Sequence, residues 1–292
     1  MTPAKMRIPI ELSPYYIPYI LLRADLSLLE ELNKELPKSI DAITHRRRKE
    51  VEMKAESLAC RLDEKSKAEW RTLMLALEGR SEQSDEFRQS GEDMSLDSIL
   101  NNKDALRILL QKFQTDGFSY NSNKFIRNMS LIYLVAKFEI FLRRILKITF
   151  QSIPEILMTS QKSVSYEELL KLEKYDDIKE HIFEKEIQYI TNQDVTDIDR
   201  YMKQKLNLRL SEYANWRKFK ERFYRRNILV HNEGLPNRLY RTKTGYQGKD
   251  AQMDISSQYL QVSISMFHDM SLWIVRNLNK KFNQGYSERA LL

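Results

Sequence analysis

The chain has 292 residues, 42% of them hydrophobic, with seven glycines, seven prolines and a formal net charge of +7. That length suits one large or two modest domains, and the apolar share is enough for a buried core. The single cysteine excludes an internal disulfide and a thiolate-rich metal site, while the moderate positive charge permits a nucleic-acid partner without requiring one.

Five of the seven prolines (Pro3, Pro9, Pro14, Pro18, Pro37) fall in the first 37 residues. The rest of the chain is rich in Leu, Lys, Glu and Arg, so a mostly helical protein is expected. Residues 1–20, rich in Pro and Tyr, read as an extended segment. They lack the apolar run and small-residue cleavage site of a signal peptide, which points to a cytoplasmic protein. Residues 20–36 read as helix. Residues 39–77 read as one or two long charged helices, with Val51, Ala55, Leu58, Leu62, Trp70, Leu73 and Leu77 in a stripe. The run from His45 through Arg48 reads as a solvated helix face. Cys60 reads as a small core residue on a helix.

Residues 78–92 read as a polar loop and residues 95–113 as helix again. Residues 117–123 are small and polar and lead into a strong new pattern. They are expected to divide a helical N-terminal domain of unknown role, 1–117, from a second domain, 118–292. That second domain opens with a helix over 124–151, where Leu131, Leu134, Val135, Phe138, Phe141, Leu142, Ile145 and Leu146 recur at three and four. Lys137, Glu139, Arg143, Arg144 and Lys147 in the same stretch argue against a membrane span. Residues 166–190 form a charged amphipathic helix or pair. Residues 194–205 form a helix with an Asp start signal. Residues 211–232 form one more helix, stopped by Gly234 and Pro236. A basic loop over 238–250 and a closing helix over 255–282 complete the chain. Trp70, Trp216 and Trp273 lie in helical patterns and are expected in the core.

Chemistry concentrates at residues 225–234, Arg-Arg-Asn-Ile-Leu-Val-His-Asn-Glu-Gly. Asn227 and His231 are four apart and share a helix face; Arg226 lies about 100° round and has the length to reach the same place. An imidazole titrating near neutrality can take the proton of a ribose 2′-hydroxyl. A guanidinium can hold phosphate oxygens and stabilise the charge that builds on them. Asn227 can orient either group. Arg217, Lys218, Arg222, Arg225, Arg238, Arg241 and Lys243 surround the motif and are the candidate RNA contacts. Phe223, Tyr224, Tyr240 and Tyr246 interleave as possible base platforms. The Arg-x4-His spacing alone is a weak signal, and His231 also fits a helix C-terminus that favours a cation.

The wider pattern is more specific. Arg-Asn-x-x-x-His-Asn at a helix end, followed by Glu-Gly and a basic stretch, resembles the HEPN superfamily of helical ribonuclease-type domains over about residues 124–282. The preceding helix with Phe138-Glu139 and the closing amphipathic helix agree with it. The resemblance places the family's Arg-x4–6-His motif on Arg226 and His231, with Asn227 as the polar residue after the arginine. It implies an all-α, up-and-down helical bundle behind a helical N-terminal extension. It implies a homodimer with both motifs lining one cleft. The implied activity is metal-independent endoribonuclease cleavage in phage defence, a toxin–antitoxin pair or RNA processing, with an antitoxin or regulatory protein as a further partner. No cofactor and no metal are implied, and His45, His181 and His268 show no metal-ligand spacing. The alternative is a non-catalytic helical module that binds RNA or protein.

Overall fold

The computed structural model describes residues 13–77, 102–158, 165, 167–168, 171–172 and 174–282. The described residues are all-α, 82% of them helical, with no strand among them. The α-helices are α1 (Tyr16–Ala59), α2 (Glu64–Leu77), α3 (Lys103–Ser152), α4 (Tyr175–Thr191), α5 (Val195–Leu206), α6 (Trp216–His231), α7 (Arg238–Thr244) and α8 (Ser257–Phe282). Single 3-10 turns lie at Pro154–Leu157 and Leu210–Glu212. No described helix is long and apolar enough to cross a membrane.

The chain divides into two compact units. One is Met1–Asn33 with Ile126–Leu292, and the other is Lys34–Phe125. In the smaller unit Val51, Ala55, Leu58, Trp70, Ala105 and Ile108 form the core. The Trp70 indole donates to the Ala55 carbonyl at 3.1 Å, which satisfies its one polar atom inside that core. Asp63 caps α2 by accepting from the Ser66 amide, and Asn102 caps α3 by accepting from the amides of Asp104 and Ala105.

In the larger unit the predicted stripe of α3 is buried throughout, from Leu131 to Phe150. Phe138 meets the rings of Phe219, Phe223 and Phe267 at centroid distances of 5.1, 6.0 and 5.2 Å, mostly edge to face. Leu260, Ile264, Phe267, Met270, Ile274 and Leu278 of α8 are all buried, as their spacing predicts. Asp194 caps α5 by accepting from the Thr196 amide, as the start signal predicts. Trp216 and Trp273 pack against the core while keeping partial exposure.

Several elements differ from the sequence reading. Residues 16–20 are not extended: α1 starts at Tyr16 and continues through Pro37 for 44 residues. Pro37 removes one backbone donor and crowds the preceding turn. Leu26 and Leu29 before it, and Ile40 and Thr44 after it, are buried. Residues 117–123 do not break the chain, because α3 runs through them with Gly117 helical. The helix expected to begin at 211 begins at Trp216 behind a 3-10 turn. Residues 238–244, expected as loop, form α7 with Asn237 capping it through the Tyr240 amide. Cys60 is exposed just beyond α1 and is not a core residue. The loop expected at 78–92 and the start of the helix expected at 95 lie outside the described residues, as does much of 166–173.

Candidate functional site

Helix α6 is anchored by its middle and free at its end. Phe219, Phe223, Tyr224 and Ile228 are buried, whereas Asn227, Val230 and His231 are exposed and Arg226 is intermediate. At 100° per residue, Arg226, Val230, Asn227 and His231 fall within a sector of roughly 140°. The motif therefore occupies one face of the last two turns.

Arg226 forms an ion pair with Glu139 of α3, 87 residues earlier in the chain. Its Nε is buried and has no hydrogen-bond partner. Burial raises the Glu139 carboxyl above the usual carboxylate range; Arg226 and Arg143 pull against this without overcoming it. The arrangement fixes the guanidinium in place and leaves part of its donor capacity unfilled. His231 and Asn227 make no side-chain hydrogen bond to any described residue.

The backbone explains why His231 is free. The amides of Asn232 and Gly234 both donate to the Ile228 carbonyl at 2.9 Å, so the helix end is closed by main chain. Glu233 (φ 51°) and Gly234 (φ 79°) turn the chain through the left-handed region. Gln252 then donates to the Glu233 carbonyl at 2.6 Å, and the Met253 amide to the Gly234 carbonyl at 3.0 Å.

The basic residues separate into two sets. Arg222 and Arg225 are buried around Glu221, with guanidinium–carboxylate distances of 3.2 and 2.9 Å. Tyr240 and Tyr259 each donate to the same carboxylate at 2.6 Å, and Arg222 also donates to the Ser263 hydroxyl at 3.0 Å. Burial and the Glu221 charge push the Tyr240 and Tyr259 phenols up, so both stay neutral donors. The two arginines expected on RNA are thus internal ties between α6, α7 and α8. Arg241 binds the Gly248 carbonyl at 2.8 Å and pairs with Asp250, closing the loop after α7. Lys243 lies 3.6 Å from Asp194, which also accepts from Tyr224.

Arg217, Lys218 and Arg238 remain exposed, with no ion pair among the described residues. Of the four aromatic residues expected as platforms, Phe223, Tyr224 and Tyr240 are buried, and Tyr246 alone is partly open. No group of three or more described His, Cys, Asp or Glu side chains has a metal-holding arrangement. Sequence reasoning noted Glu139 without giving it a partner. Its signal was present: it is the sole acidic residue between Leu131 and Phe150. Glu221 was legible as the i−4 partner of Arg225, while Tyr259 carried no local signal. No family model, curated protein or solved structure matches the chain.

Proposed function

We propose that the chain is a metal-independent endoribonuclease of the HEPN type, acting through Arg226, Asn227 and His231. The observation that carries this reading is the exposed, unpartnered imidazole of His231 within about 140° of helix surface from a guanidinium paired with Glu139. A histidine serving as a helix cap would bond the terminal carbonyls. Here main-chain amides close the Ile228 carbonyl and the ring takes no part.

His231 takes the proton of the ribose 2′-hydroxyl, whose oxygen attacks the adjacent phosphorus. Arg226 faces the charge that develops on the phosphate oxygens. The 5′-oxygen leaves with a proton, giving a 2′,3′-cyclic phosphate and a 5′-hydroxyl. One imidazole cannot hold and lack the same proton in one step, so a second copy is the economical source of the acid. Arg217, Lys218 and Arg238 are the available contacts for flanking phosphates. A role in phage defence, a toxin–antitoxin pair or RNA processing, in a cytoplasmic setting and with an antitoxin or regulatory partner, belongs to the same reading.

The test is purified protein with labelled RNA, with and without EDTA, followed by end-group analysis. Cyclic-phosphate products that persist in EDTA are expected, and a single 2′-deoxy position should block cleavage there. Products with 5′-phosphates, or loss of activity in EDTA, would refute the mechanism. Binding of RNA without turnover would establish the alternative, a non-catalytic RNA-binding module.

A further inference from the structure

Within the smaller unit, α1 and α3 run antiparallel. Three contacts fix their register: Arg48 with Asp116 at 3.0 Å, Lys54 with Gln111 at 3.1 Å and Arg61 with Asp104 at 3.8 Å. Ser57 of α1 therefore stands level with Ile108 of α3, and Leu58 level with Arg107. Between the two helices lies a groove of about 590 Å³, a volume within the range of small-ligand sites.

The middle of the groove is basic. Ser57 has the shortest side chain in the lining and leaves room at its level. Arg61 is laid back over it, its Nε donating to the Ser57 carbonyl at 3.3 Å. The 3.8 Å between Arg61 and Asp104 is too long for a hydrogen bond, and their side chains are 62% and 60% exposed, so that pair is loose. Arg107 is exposed and has no ion pair or hydrogen bond with any described residue. Its Cα–Cβ bond leans toward the start of α3, which is toward the level of Arg61. Lys54 gives Gln111 one of its three donors and keeps two. From the 1.5 Å rise, Arg107 lies about 6 Å along the groove from Lys54 and about 4.5 Å from Arg61. Three cations thus surround one hydroxyl.

The ends of the groove are different. Asp104 closes one end, level with Arg61. Toward the other, Met53 offers an apolar surface, 62% exposed, and Glu50 lies about 6 Å beyond Lys54.

We propose that this groove binds a nucleoside monophosphate, with its phosphate among Lys54, Ser57, Arg61 and Arg107 and its base on Met53. The order of chemistry along the groove carries the proposal. Charge-assisted bonds from two guanidinium groups and an ammonium suit a phosphate monoester. A thioether about 6 Å along from Ser57 suits the face of an aromatic base. Glu50 then accepts from ribose hydroxyls or a base amino group. The carboxylates at both ends select against a polynucleotide, whose further phosphates would meet Glu50 or Asp104. The site lies within the smaller unit and does not rest on the ribonuclease reading.

Isothermal titration calorimetry on the full chain tests this with AMP, GMP, CMP and UMP, beside inorganic phosphate and adenosine. At least one monophosphate should bind one per chain with a Kd below about 1 mM, and phosphate and adenosine should each bind at least tenfold more weakly. Arg107→Ala and Ser57→Glu should each weaken the monophosphate at least tenfold with an unchanged helical circular-dichroism spectrum. Arg226→Ala should leave this binding intact. No saturable binding of any of the four, or binding that survives both groove variants, would overturn the proposal. Loss in Arg226→Ala alone would place the nucleotide at the motif instead. Tighter binding of a 5′-phosphorylated oligonucleotide, abolished by Arg107→Ala, would overturn it in favour of RNA. RNA cleavage is read separately, so either conclusion can fail alone.

Discussion

His231 and Arg226 differ in what their removal exposes. His231 is exposed and makes no side-chain bond, so His231→Ala should change stability by no more than about 0.5 kcal/mol. Turnover should fall by roughly 10²–10⁴-fold, the usual contribution of a positioned general base. Thermal melts beside single-turnover cleavage separate the two effects. A large loss of stability would instead mark His231 as structural. Arg226→Ala should lower turnover by an effect on the order of 3 kcal/mol, and it also strips Glu139 of its partner. That carboxyl is already held above the usual range by burial, so the folded state binds its proton more tightly than the unfolded state does. Stability contributed by this group is accordingly present at low pH and declines as pH rises from the ordinary carboxylate range through the raised folded value. Urea midpoints measured between pH 4 and 7 should show that decline, and Glu139→Gln should flatten it.

As an element, α6 is held in the middle by Glu221 and at the end by a turn that only certain residues make well. Glu221→Ala would leave two buried guanidinium groups and two phenols without their acceptor, a loss of roughly 3–5 kcal/mol. Denaturant unfolding should place it among the most damaging single substitutions, whereas Arg217→Ala should be close to neutral. At the helix end, Gly234 has φ 79°, and a methyl group there would meet Gln252 and Leu229 at 3.4 Å. Gly234→Ala should cost about 1–2 kcal/mol, through left-handed strain together with tight contact. Amide exchange should quicken first around residues 228–234, where the backbone bonds of this turn lie. Normal protection in that variant would show that the turn is held by other contacts.

Across the whole molecule, the units do not follow chain order. The first described helix belongs in part to the unit whose other residues begin at Ile126, because Tyr15, Tyr16, Tyr19, Leu22, Leu26 and Leu29 fill its core. A fragment beginning at residue 118, where the composition suggests a boundary, would lack all six. At about 1.5–3 kcal/mol for each large apolar side chain, the loss is roughly 9–18 kcal/mol, as large as the stability of an entire domain. Such a fragment should not melt cooperatively, whereas the full chain should. A sharp transition in the fragment would show that α1 is dispensable to the larger unit.

The sequence by itself determined the helical class, the core faces of α3 and α8, the cap at Asp194 and the stop after His231. Each depends on local rules: side-chain periodicity, a side chain bonding a nearby amide, or a glycine tolerating positive φ. Tertiary structure alone decided which charges stay free. Arg222 and Arg225 are indistinguishable from Arg217 and Lys218 as basic residues on one helix. Their burial follows from Tyr240, Tyr259 and Ser263, which are 15 to 41 residues away. The continuation of α1 through Pro37 was equally out of reach. A proline's local cost is legible in sequence, but the burial of Leu29 in a core built largely from helices after residue 126 is not.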